Sequence, residues 1–175
     1  MCLRTYAHTS ILMITVSVDF CNPISQKNYD FVINSLQLHQ LTCSCGHSGC
    51  LTIHGYYYRS LKTENSTLRL RIRRVICSEC GHTHALLPSF IVPYSQVSFF
   101  DQVEIIQQAQ SDKNFTSIMN RTPSIDESNI RSIIRCFRFH WEQRLLSEQL
   151  SPTVTTAFVR SCFLAFHRQF MQIKN

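Results

Sequence analysis

The chain has 175 residues, 44% of them hydrophobic, enough to bury about 70% of its unfolded surface in one domain or two small ones. Four glycines, twelve phenylalanines and only 16% charged residues exclude collagen-like, coiled-coil and disordered chains. Seventeen Lys and Arg against eleven Asp and Glu leave +6, which permits a polyanionic partner.

From the N-terminus, the apolar run Ile11 to Val18 is closed by Asp19. Such a run is far too short to cross a bilayer, and no small-residue cleavage site comes after it. A buried strand is the reading preferred over a vestigial export signal, and Met13 offers an alternative start. Residues 1–39 are expected to supply a strand and a helix that pack on the rest of the chain. No membrane partner and a cytoplasmic location are the working expectation.

The nine cysteines are unevenly placed. Cys2, Cys21, Cys136 and Cys162 stand alone among apolar residues and read as buried or surface thiols. Five others fall in two tight groups, CSCGHSGC from Cys43 to Cys50 and CSECGHTH from Cys77 to His84. Clustered thiols in a reducing compartment suit a metal better than disulfides. In the second group Cys77 and Cys80 form a C-x-x-C pair, and Gly81 can take the turn conformation that other residues avoid. Zinc takes four ligands in a tetrahedron, so five cysteines overfill one site. The first choice of ligands is Cys43, Cys45, Cys77 and Cys80, with Cys50 as the alternative to Cys43 or Cys45. His47, His82 and His84 are secondary candidates; His82 and His84 lie on opposite faces of an extended segment. Four thiolates close the coordination sphere, so one structural Zn2+ is expected rather than a catalytic one.

Between the groups, Leu51 to Arg59 is rich in aromatic and β-branched residues and reads as a strand. Lys62 to Ser66 is polar turn material. Leu68, Leu70 and Ile72 then alternate with Arg69, Arg71 and Arg73, the period-two pattern of a half-buried strand. Thr83 to Leu87 is a candidate third strand. Together these make a small zinc-ribbon hairpin or three-stranded sheet over residues 40–96. Arg59, Lys62, Arg69, Arg71, Arg73 and Arg74 beside Tyr56, Tyr57 and Tyr58 suit nucleic acid, since guanidinium pairs with phosphate and rings stack on bases.

The segment CSCGHSGCLTIHGYYYRS…LRLRIRRVICSECGHTHALLPSFIVPYSQ resembles an uncharacterised bacterial zinc-ribbon family related to the N-terminal zinc finger and helix-turn-helix region of insertion-sequence transposases. The likeness rests on the cysteine–glycine knuckles, the HGYYYR strand, the R-x-R-x-R-R strand and the LLP exit, and is strongest over residues 40–96. It implies a ribbon that helps recognise DNA beside a helix-turn-helix. The first knuckle departs from it by lacking C-x-x-C.

Pro88 and Pro93 mark a boundary near residue 96. Ser98 can cap a helix from Phe99 to Gln110. Thr116 to Arg121 can form one or two turns before Thr122-Pro123. Ser124 and Glu127 form a capping box, with Asp126 also in the first turn, ahead of a helix whose apolar face is Ile130, Ile134, Phe137, Trp141 and Leu145. Arg131, Arg135 and Arg138 form a second stripe, and Arg131 and Arg135 are the candidates for groove or phosphate contact. This order of helices makes residues 97–150 helix-turn-helix-like. A final amphipathic helix, residues 151–175, carries Val159, Cys162, Phe163, Phe166, Phe170 and Ile173 in one stripe.

The fold class is therefore α+β, a zinc ribbon followed by an all-helical region. No phosphate-cradling loop, H-E-x-x-H or G-x-S-x-G occurs, and the acids are scattered. The chain is expected to be no enzyme but a zinc-dependent DNA-binding accessory, remnant or regulator. A zinc-stabilised protein-interaction module is the alternative. DNA is the expected partner; RNA or single-stranded nucleic acid, and a homodimer through the C-terminal helix, are further alternatives.

Overall fold

The computed structural model describes residues 7–9, 13–18, 24–111 and 114–173, and over them the protein is a mixed α+β structure. Cys2 and Cys21 lie outside the described residues. Five strands, β1 (Ala7–Thr9), β2 (Met13–Val16), β3 (Leu51–Lys62), β4 (Thr67–Cys77) and β5 (Thr83–Pro88), form one sheet in the order β1-β2-β5-β4-β3. β3, β4 and β5 are antiparallel neighbours, while β2 runs parallel to β5. The sheet is thus wider than the expected three strands, because the N-terminal segment adds two of its own.

The alternation in β4 does what its period requires. Leu70 and Ile72 are buried while Arg69 and Arg71 are exposed. The hairpin is longer than expected: β3 continues to Lys62, and the Thr63 N–H closes the turn on the Ser66 carbonyl at 2.8 Å. A bulge between Ile53 and Gly55 shifts the β3 register. It brings Tyr56, Tyr58 and Ser60 opposite Arg73, Arg71 and Arg69.

Helix α1 (Gln26–Asn34) starts at Ser25, whose hydroxyl accepts from the Asn28 N–H. It buries Tyr29, Val32 and Ile33. β4 and β5 pair only over Arg74–Ile76, and α1 takes over beyond that point. The Tyr29 hydroxyl accepts from the Arg73 N–H at 2.8 Å and donates to the Leu86 carbonyl at 3.0 Å. The Gln26 amide does the same for one residue, accepting from the Arg71 N–H at 2.7 Å and donating to its carbonyl at 3.2 Å. Backbone groups that β5 leaves behind are therefore satisfied by side chains.

The second half is helical: α2 (Phe99–Gln110), α3 (Phe115–Arg121), α4 (Glu127–Cys136), a π-helical turn (Phe137–Trp141), α5 (Glu142–Ser147) and α6 (Thr156–Phe166). Ser98 caps α2, accepting from the Asp101 N–H at 3.2 Å while its own hydroxyl donates to the Asp101 carboxylate. Ile130, Ile133, Phe137, Trp141 and Leu145 are buried. Steps of four residues drift off one face of a regular α-helix; the wider π turn keeps Phe137, Trp141 and Leu145 pointing inward.

Two helical expectations are corrected. The Ser124–Glu127 capping box does not form. Asp126 occupies the N-cap of α4 without a side-chain capping bond; its carboxylate accepts instead from the Lys62 ammonium and the Asn129 side-chain amide, and the Ser124 N–H bonds the Glu64 carbonyl at 3.2 Å. The final apolar stripe is also not one helix. His167 adopts a left-handed conformation (φ 51°) and its N–H closes on the Phe163 carbonyl. The chain then folds back, placing Phe170 fully buried against Phe99, Phe137, Trp141 and Phe158, while Ile173 stays exposed.

The buried apolar residues sort into a sheet core and a helical core. Phe100 packs against both, and the buried Gln169 amide donates across to the Ser89 carbonyl. Among the described residues, no helix is long and apolar enough to cross a membrane.

Candidate functional site: a thiol cluster and an arginine–tyrosine face

The two cysteine groups fold into matching turns. In the first, the Cys43 N–H bonds the His47 carbonyl and the Gly46 N–H bonds the Cys43 carbonyl, each at 2.9 Å. In the second, the Cys77 N–H bonds the His82 carbonyl at 2.9 Å and the Gly81 N–H bonds the Cys77 carbonyl at 3.0 Å. Gly46 (φ 90°) and Gly81 (φ 72°) both take the left-handed region that favours glycine. The first turn is one residue shorter, which explains how C-x-C stands where C-x-x-C would be expected.

These turns converge. The Sγ atoms of Cys43, Cys45, Cys77 and Cys80 all lie within 4.8 Å of one another. Cys43 is 3.5 Å from Cys80 and Cys45 is 3.8 Å from Cys77. A tetrahedral zinc with bonds of about 2.3 Å holds its sulfurs about 3.8 Å apart, so the four thiols fit a metal ion. Cys50 stands beside this quartet: its Sγ is 3.3 Å from that of Cys77, and its thiol donates to the His47 carbonyl at 3.3 Å.

The thiols are not equivalent. Burial pushes Cys77 upward, but its hydrogen bonding with the Cys80 backbone and with the adjoining Cys50 sulfur outweighs this and brings the group down to about 6. Burial, reinforced by Cys77, raises Cys50 to about 11. A depressed thiol is closer to the thiolate that binds metal.

Of the three histidines, His84 and His47 reach the cluster, His84 from the buried side. His84 is fully buried, with Nε2 at 3.2 Å from the Cys43 Sγ. His82 is exposed on the other side, as the extended backbone requires. His47 is exposed, with Nδ1 at 3.4 Å from the Cys45 Sγ.

The eight basic residues singled out in the sequence separate into groups. Arg69 and Arg71 are exposed on β4 and stack on the tyrosines of β3: the Arg69 guanidinium lies 4.4 Å from the Tyr58 ring centroid, and Arg71 lies 4.7 Å from that of Tyr56. Arg73 also approaches Tyr56, at 5.8 Å, and donates to the Asn34 side chain at 2.7 Å. Arg74 donates to Thr83 at 2.8 Å. Tyr57 points the other way, half-buried against the sheet core.

Arg59 and Lys62 are placed elsewhere. The Arg59 guanidinium donates to the Val92 and Ser95 carbonyls, holding the loop that leads to α2. Lys62 is paired with Asp126. Both serve the junction between sheet and helices rather than an open face. On α4, Arg131 is bridged to Glu127 at 2.7 Å and lies 4.3 Å over the Phe115 ring, while Arg135 is exposed beside it. Gln26, Tyr29 and Asn34 of α1 position the arginine strand, a long-range role that no local motif in the sequence announces.

No curated protein and no solved structure matches the chain. A family match does exist, over residues 42–133, a stretch that takes in both cysteine turns, the arginine–tyrosine face, α2, α3 and most of α4. As that stretch is more than half of the chain, the protein belongs to the family described as Domain of unknown function (DUF6431).

Proposed function

We propose that the protein is a zinc-stabilised nucleic-acid-binding protein whose partner is duplex DNA and which has no catalytic centre of its own. Cys43, Cys45, Cys77 and Cys80 hold one structural Zn2+, which fixes the base of the β3–β4 hairpin as a zinc ribbon. In this reading α3, the turn at 122–126 and α4 act as a helix-turn-helix, with Arg131 and Arg135 facing the DNA. The protein acts as an accessory, remnant or regulator resembling the recognition part of an insertion-sequence transposase.

One observation carries the proposal: the exposed ladder of Arg69 and Arg71 stacked on Tyr58 and Tyr56. Stacking holds the guanidinium planes in place and leaves their edges to pair with phosphate, while the exposed tyrosine rings offer surface to sugars or bases. Like charges crowded on one face repel, a cost that a polyanion relieves. Fluorescence anisotropy with a labelled random-sequence duplex tests the reading. The zinc-loaded protein is expected to bind saturably at low salt and more tightly than it binds a single strand of the same length. No binding counts against it, and preference for the single strand redirects it to RNA or single-stranded DNA.

A protein-interaction module is the second reading, favoured by the exposure of Phe139 and Leu146 on the long helix. It gains if the metal-loaded chain ignores nucleic acid.

A further inference from the structure

A cavity of about 550 Å³ opens between α2, α3 and the α4–π-turn helix. That volume falls within the range of small-molecule sites. Its floor is apolar, made by Phe115, Ile118 and Ile134, and its rim carries Arg131, Arg135 and Arg138. Residues at such three- and four-residue steps share one side of a helix, so the three guanidinium groups border one opening.

The arginines have different tasks. Arg131 is neutralised by Glu127 and laid over the Phe115 ring, which makes it a wall. Among the described residues, no carboxylate lies within ion-pair distance of Arg135 or Arg138. Glu142 borders an adjoining cleft with Arg138 without pairing to it. Two uncompensated guanidinium groups therefore stand over an apolar, aromatic-walled floor.

We propose that this cavity is a binding site for a small aromatic carboxylate. The flat apolar body enters against Phe115, Ile118 and Ile134. The carboxylate stays at the rim, where a guanidinium fork matches its two oxygens. The site is separate from the thiol cluster and from the β3–β4 face. It shares Arg131 and Arg135 with the proposed DNA contact, so its test contains no nucleic acid.

The test is isothermal titration of the metal-loaded chain with 2-naphthoate and, separately, with its uncharged isostere 2-naphthamide. Naphthoate is expected to bind saturably, and the amide about tenfold to a hundredfold more weakly, the worth of a charged hydrogen bond. The exposed-residue double variant Arg135→Gln/Arg138→Gln is expected to lose a similar factor for naphthoate with an unchanged Tm. Ala109→Phe, which fills the cavity from α2, is expected to abolish binding of both. Equal binding of acid and amide overturns the proposal, as does no binding of naphthoate, or unaltered binding by the double arginine variant. The acid–amide comparison is made on the unmutated chain and decides the matter even if Ala109→Phe fails to fold.

Discussion

The Lys62 ammonium at the end of β3 is paired with the Asp126 carboxylate at the start of α4. This pair is part of a larger seam. The Lys62 N–H bonds the Gln96 carbonyl, the Ser98 N–H bonds the Lys62 carbonyl, and the Glu64 N–H bonds the Asp101 carboxylate at 2.7 Å. The tip of the hairpin is thereby clamped to the N-termini of α2 and α4.

Lys62 lowers the Asp126 carboxyl below its ordinary range, first by the hydrogen bond and then by its charge. A folded-state value below the unfolded ~3.9 contributes stability above that pH and loses it as pH falls through the folded value. Asp126→Asn is expected to lower the Tm modestly near neutral pH and to leave it unchanged once the pH lies well below the folded value. Thermal denaturation across that range checks this; an equal Tm difference at all pH values contradicts it.

Tyr29→Phe removes the hydroxyl that bridges Arg73 and Leu86 where β4 and β5 part. The part-buried Arg73 N–H and the buried Leu86 carbonyl then lose their partner, at an expected cost of about 1–3 kcal/mol. Urea denaturation should give that difference with an unchanged m-value. A neutral substitution would mean that the strands close the gap unaided.

Chelation is expected to strip protection first from the two turns at 43–50 and 77–84, and then from β3 and β4. Structural zinc contributes its binding energy directly to folding, and the helical core has apolar contacts of its own. Amide hydrogen exchange with and without chelator reads the difference. Absent change contradicts a structural metal, and a uniform loss contradicts a helical core that stands without it.

Single serine variants separate ligands from the spare thiol. Cys43→Ser, Cys45→Ser, Cys77→Ser and Cys80→Ser are expected to lose bound zinc, whereas Cys50→Ser keeps one zinc per chain. Elemental analysis of the purified variants checks this. Loss of metal in Cys50→Ser, with retention in Cys45→Ser, would reassign the fourth ligand.

Much of the sheet and cluster was legible because it is written locally. Period-two alternation marked β4, and cysteine–glycine spacing marked both turns, whose four thiols do converge. What escaped is long-range. The pairing of β2 with β5 joins residues about seventy positions apart, and nothing in either strand names its partner. Arg59 and Lys62 looked like surface cations, since composition cannot tell a guanidinium facing solvent from one capping the Val92 and Ser95 carbonyls. The reversal at His167 was hidden because left-handed backbone is usually signalled by Gly or Asn, and histidine gave no such cue. Phe170 therefore read as one more helical position instead of the centre of the helical core.

The central claim is that the Arg69–Arg71 face binds a polyanion. Its most direct test is the salt dependence of duplex DNA affinity for the zinc-loaded chain and for Arg69→Glu/Arg71→Glu, both exposed positions that leave the cores intact. Affinity is expected to fall linearly in a log–log plot with a slope of about −0.9 per phosphate contacted, and the double variant to flatten that slope by about two units and bind more weakly throughout. Affinity independent of salt, or a variant with the slope and affinity of the unmutated chain, would contradict it.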